Sequence, residues 1–250
     1  MTVSPWPSLL KKDFRLALPW FLGGLGLIIA FDLWFAWSPH PEVRLAFSSM
    51  LVFAHIIYFP VYLFISLWVE GKQMHQWLHS PRPAWQLILS KLVVGIPFIL
   101  LSLSISGLYP TYLVLGPTDL FASLPGLDPT AFWSDVGLML MAILWISFHL
   151  SLLLLVVWSV YRWLRTYLGK WTWLLTGAGF FFFLYLYSKW VTSHYYDLLF
   201  QWGPTMNIKG LTEGQTSTPF IHTGDILFDL LLAAAFFTLA QWILEKRMEV

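Results

Sequence analysis

The sequence predicts an all-α integral membrane protein: six transmembrane helices, a short amphipathic helix ahead of the first, and a cytoplasmic helix between spans two and three. Three observations lead to that class. Six apolar stretches, Ala17–Trp37, Ala46–Trp68, Leu92–Leu115, Val136–Tyr161, Trp171–Val191 and Ile226–Leu244, are each long enough to cross a bilayer, which takes about 20 mostly apolar residues. The chain is 58% hydrophobic and only 11% charged, against about 25% charged in a soluble domain. Its mean hydropathy is +0.69. Finally, basic residues crowd the gaps on one side only.

Taken in order, Pro7–Arg15 mixes Leu9, Leu10 and Phe14 with Lys11, Lys12 and Arg15, the pattern of a helix lying on the cytoplasmic surface. The apolar run that follows exceeds the h-region of a signal peptide and has no small-residue cleavage site after Trp37, so Ala17–Trp37 reads as a retained first span. Pro19, Pro60, Pro97 and Pro110 fall within or at the ends of spans, where a missing N–H kinks a helix and neighbouring helices satisfy the freed carbonyl. Trp20, Trp34, Trp37, Trp68, Trp171 and Trp190 recur near span ends, as interfacial anchors do. The gaps between alternate spans are Pro- and Asp-rich over 116–135, and Gly-, Pro-, Ser- and Thr-punctuated over 193–225, where His194–Trp202 is aromatic enough to enter the interface.

Lys11, Lys12, Arg15, Lys72, Arg82, Lys91, Arg162, Arg165, Lys170, Lys246 and Arg247 all fall on one side if six spans alternate; Arg44, Lys189 and Lys209 make up the fourteen on the other. The positive-inside rule then places both termini in the cytoplasm, and an even number of spans agrees with a basic segment at each end. The whole chain reads as one membrane domain, with no room for a separate soluble one. Any ATPase, protease or kinase chemistry therefore belongs to a partner chain. A net charge of +1 gives no argument for nucleic acid. With no cysteine, there is no disulfide, thiolate nucleophile or Cys-ligated metal.

Glu70–Lys91 is the most informative local segment. Glu70–His79 suits one short helix, stopped by Pro81 and Pro83, and Trp77 and Leu78 put apolar side chains on a polar cytoplasmic surface. Such residues dock into a groove on another protein or lie on lipid headgroups. The pattern Glu70…Gln76-Trp77-Leu78-x-Ser80-Pro81…Leu87…Lys91 resembles the loop of ABC transporter permeases of the ABC-type-two exporter class. The resemblance extends to six spans, cytoplasmic termini and an enlarged outer loop between spans five and six. The tail Leu244–Val250 is similar to those of such permeases in Gram-positive bacteria. Met74-His75-Gln76 departs from the more acidic, Gly-Thr-bearing stretch of that family, which bears on the choice of ATPase partner.

That resemblance implies that Glu70, Gln76, Trp77, Leu78, Ser80 and Pro81 form a coupling helix seated in a cleft of an ATP-binding subunit. It implies that ATP and Mg bind on that subunit, with no cofactor on this chain. It also implies that two six-span permeases, identical or related, face each other in the cytoplasmic membrane and export an amphipathic or hydrophobic substrate such as a peptide toxin or antimicrobial peptide. The sequence agrees in lacking a phosphate loop ending in Gly-Lys-Ser/Thr; Gly23-Gly24-Leu25-Gly26 sits in an apolar span and reads as a helix-packing surface.

Intramembrane ionisable residues are functional candidates by default. Here they are Asp32, His55, His149 and Asp229, expected either on a substrate path or, for the two histidines, in inter-helix hydrogen bonds. His75 and His79 share a helix face but lack further ligands and the Glu of a metalloprotease motif, so no metal is expected. Two other classes remain: an intramembrane enzyme using His or Asp, active without ATP, and a non-transporting sensor or structural subunit.

Overall fold

The computed structural model describes residues 6–71, 82–116, 129–207 and 220–246. They divide into two compact units, Met1–Ser151 and Leu152–Val250.

The first unit begins with α1, Trp6–Ala36. Nothing between Arg15 and Ala17 breaks a helix, and Leu9, Asp13, Ala17 and Phe21 are buried at four-residue intervals, one continuous stripe along a helix. The separate amphipathic surface helix expected over Pro7–Arg15 is therefore the first turns of this helix, with Leu9 and Asp13 facing inward.

The expected second span, Ala46–Trp68, is two helices: α2, Pro41–Ala54, and α3, Tyr58–Gly71, bent by 46°. The cause lies in the backbone. Pro60 has no N–H to give the Ile56 carbonyl, and its ring crowds that carbonyl. Across the break, the amides of His55, Ile56, Ile57 and Tyr58 each donate to the carbonyl three residues back, at 3.0–3.1 Å, a tightened turn in place of the α ladder.

α4, Ala84–Leu115, contains Pro97 and Pro110 and packs against α1, α2 and α3. Phe98 stacks on Phe14 and Phe21. Gly95 lets α3 approach, since a side chain there would run into the rings of Phe59 and Tyr62. α5, Pro129–Leu168, contributes Ile143 to a buried cluster with Val52 and Leu103.

The second unit starts within α5. Gly169 follows it at φ +54°, in the left-handed region that a helix C-terminus favours for glycine. One 3-10 turn, Gly169–Trp171, then leads into α6, Thr172–Val191. The aromatic segment expected at the interface forms a short helix, α7, His194–Phe200. Two antiparallel strands follow, β1, Thr205–Asn207, and β2, Phe220–His222, with Thr205 opposite His222. β2 runs directly into α8, Thr223–Lys246.

Among the described residues, four helical stretches are long and apolar enough to cross a membrane: Trp6–Ala36, Ala84–Leu115, Trp133–Val191 and Thr223–Lys246. Counting the bent α2–α3 pair as one crossing makes five, against the six expected. The difference lies in Trp133–Val191, 59 residues with a 3-10 turn where a loop between two spans was expected. At 1.5 Å per residue that stretch is about 88 Å of helix, well beyond a hydrocarbon core of about 30 Å.

Candidate functional site

The first unit carries a buried ion network that the sequence reading did not assemble. Lys91, 1% exposed, lies on the second turn of α4 and places its Nζ 3.1 Å from Asp13 Oδ1 and 2.8 Å from Glu70 Oε2. Lys12, half exposed on α1, reaches Glu70 Oε1 at 2.6 Å and Asp13 Oδ1 at 3.7 Å. Ser90 donates its hydroxyl to Asp13 Oδ2 as well as to the Leu87 carbonyl, and Tyr62 donates to the Lys91 carbonyl at 3.1 Å. Two cations meet two carboxylates, so the four side chains sum to zero charge. Burial of such groups is tolerated when they are paired and hydrogen-bonded.

The network joins three helices. Glu70 is the penultimate residue of α3 and Lys91 follows the start of α4, so the two flank the 72–81 segment in sequence; Asp13 and Lys12 tie both to α1. Glu70, expected on the coupling helix, thus has its carboxylate engaged inside the chain. Gln76, Trp77, Leu78, Ser80 and Pro81 lie outside the described residues. Asp13 carried one legible signal: it sits on the Leu9–Ala17–Phe21 stripe, an acid on an apolar helix face. Lys91 looked like an ordinary basic loop residue because only the tertiary packing buries it.

His55, at the α2–α3 break, is 2% exposed. Its Nδ1 donates to the Leu51 carbonyl at 2.9 Å; in the neutral ring this leaves Nε2 to accept from the Ser102 hydroxyl at 2.9 Å. Ser106 lies 3.4 Å from the same nitrogen and donates to the Ser102 carbonyl. Tyr58 stacks on the imidazole with centroids 5.5 Å apart. This is an inter-helix hydrogen-bonded cluster between the bend and α4. His149, part-buried on α5, donates from Nδ1 to the Trp145 carbonyl at 2.9 Å and lies over the Trp145 ring. Asp32 is half-buried near the end of α1, and Asp229 is half-buried on α8 in the second unit. Among the described residues, no three His, Asp or Glu side chains gather as metal ligands would.

In the second unit, Asp225 organises the start of α8. It accepts from the Tyr196 hydroxyl at 2.8 Å and from the His222 amide at 2.8 Å. A carboxylate in the first helical turn suits the free amides there. Burial, the hydrogen bond to Asp225 and nearby carboxylate charge push the Tyr196 phenol well above its usual range. Its ring packs edge-on to Phe228 at 5.2 Å.

These features define a helical protein with several helices suited to cross a membrane, of the kind a multi-pass membrane protein requires. No family model matches the chain, and no solved structure matches it. Over 201 residues the chain is 31% identical to "Uncharacterized protein YhcE" of Bacillus subtilis (strain 168), covering 74% of this chain and 75% of that protein. The chain belongs to the same family as that Bacillus protein.

Proposed function

We propose that this chain is the permease subunit of an ATP-driven exporter, its 72–81 segment coupled to a separate ATP-binding subunit that holds ATP and Mg. One observation carries the reading: the residues flanking that segment, Glu70 and Lys91, are locked to α1 by the buried ion network. Force applied between those two residues is then passed to α1 and α4 together instead of being lost in loop motion. The apolar, multi-helix character of the chain and the resemblance of Gln76-Trp77-Leu78-x-Ser80-Pro81 to a permease coupling loop support it.

In this reading two permeases, as a homodimer or with a related chain, build the path in the cytoplasmic membrane as six-span subunits with cytoplasmic termini. Trp133–Val191, at 59 residues, is long enough to supply two of the crossings. The substrate is amphipathic or hydrophobic, and the chain itself performs no bond-making chemistry. The test is co-purification with an ATP-binding cassette partner, then reconstitution. Trp77→Asp and Leu78→Asp should keep insertion and ATP hydrolysis but abolish ATP-dependent export. Unchanged export by both variants, or labelling that puts residues 70–91 outside the cell, removes the coupling role.

A further inference from the structure

The first unit holds an apolar cavity of about 710 Å³ between α1 and the bent α2–α3 pair, within the roughly 300–1,000 Å³ of small-molecule sites. Two backbone features make room for it. The bend at His55–Ile57 carries α3 away from the line of α2. Opposite, Gly23 and Gly24 line the cavity with no side chain, and a Cβ at either would meet nothing within 4 Å.

The wall facing α1 carries polar side chains, His55 at the break and then Tyr58, Tyr62 and Ser66 spaced four residues apart on one face of α3. Glu70 continues it one turn further. On α1, Asp13 stands one turn before Ala17 on the same face, so both walls end at the ion network. Lys11 and Arg15 are exposed, two positions either side of Asp13, and helix geometry turns them away from the cavity face. Among the described residues no charged side chain lines the cavity, and the four charges at its end cancel. His55 and Tyr62 direct their polar atoms to protein partners. The Ser66 hydroxyl lines the cavity without a hydrogen bond to another described residue.

We propose that this cavity binds a single-chain, uncharged amphiphile. Its hydrocarbon chain lies between Gly23–Gly24 and His55–Tyr58, and its hydroxyl or carbonyl end meets Ser66 beside the ion network. A charged head would enter a low-dielectric site with no unpaired opposite charge to receive it, which is costly. The inference does not rest on the exporter reading, because binding is read on this chain alone, without ATP or a partner.

The experiment uses the full chain in lipid nanodiscs, a monoacylglycerol with a diazirine in its acyl chain, and peptide mapping after irradiation. Saturable labelling should fall on peptides containing Trp20–Ile28 and Leu51–Tyr58. Gly24→Leu fills the space from a position where an added Cβ meets nothing within 4 Å, and should cut that labelling by about tenfold or more. Gly23→Leu should do the same, so one misfolded variant does not decide the matter. Gly179→Leu, equally unobstructed but outside the cavity, should leave labelling unchanged. A lysophosphatidic acid with the same photoreactive chain should label these peptides far less. Equal labelling of wild type and both filled variants would mean annular lipid only and overturns the proposal; equal labelling by the anionic probe overturns the uncharged class.

Discussion

Replacing Lys91 with Met should be among the most damaging single changes in the first unit. Its ammonium lies 3.1 Å from Asp13 and 2.8 Å from Glu70. At an effective dielectric of about 20, each contact is worth roughly 5–6 kcal/mol of gross attraction. Desolvation offsets most of that. What remains when one partner of a buried pair is removed is about 3–5 kcal/mol, because the other charge stays buried and uncompensated. Lys12 still reaches both carboxylates, which places Lys91→Met near 3 kcal/mol on that scale. The double variant Lys91→Met/Asp13→Leu leaves one cation facing one carboxylate, and Ser90 keeps its bond to the Leu87 carbonyl. It should return to within about 1 kcal/mol of wild type, since apolar replacements of a buried pair are often neutral. Lys12→Met, at a half-exposed and solvent-screened position, should cost about 1 kcal/mol or less. Chemical unfolding of purified protein, followed by circular dichroism, measures all three. A Lys91→Met loss under about 1 kcal/mol, or a double variant as weak as the single, would refute the account of this network.

Gly95→Ala should destabilise the α3–α4 contact by about 1–3 kcal/mol, through overpacking against Phe59 and Tyr62. Gly107→Ala, in open space on the same helix, should be neutral or gain up to about 1 kcal/mol; thermal melts distinguish them. Pro60→Ala returns an amide to the Ile56 carbonyl and should straighten the bend. Spin labels at the exposed positions Met50 and Phe64 would then move apart, and an unchanged distance would assign the bend to packing instead. Tyr196→Phe should cost about 1.5–3 kcal/mol by removing a hydrogen bond to the Asp225 carboxylate. The raised phenol pKa adds a sign: its contribution is complete below the unfolded value of about 10 and is lost as pH rises beyond it. Melts of wild type, but not of Tyr196→Phe, should therefore carry this extra loss above about pH 10.

Apolar periodicity and length made most helices legible in the sequence. α4, α5 and α8 each contain the run read from composition, because a run of some 20 apolar residues has few ways to satisfy its backbone except as helix. The chain alone also dictated the α2–α3 break in part: Pro60 was visible, but whether a proline kinks, ends or merely irritates a helix depends on what its freed carbonyl meets. The continuity of α1 and the single 3-10 turn at Gly169–Trp171 were not legible, since surface helix, span and short turn differ in partners more than in composition.

The candidate site divides the same way. His55 announced itself as an ionisable residue in an apolar run, whereas Asp13, an acid on an apolar stripe, was not picked out from the sequence. Lys12 and Lys91 read as ordinary basic residues of cytoplasmic segments, and Glu70 as part of a partner-binding coupling helix. Sequence determined that these charges exist and that each helix must bury one face. Only the tertiary fold decided that three helices bring them within hydrogen-bonding reach. Ion pairing between residues 58 and 78 positions apart depends on distance in space, which no local pattern encodes.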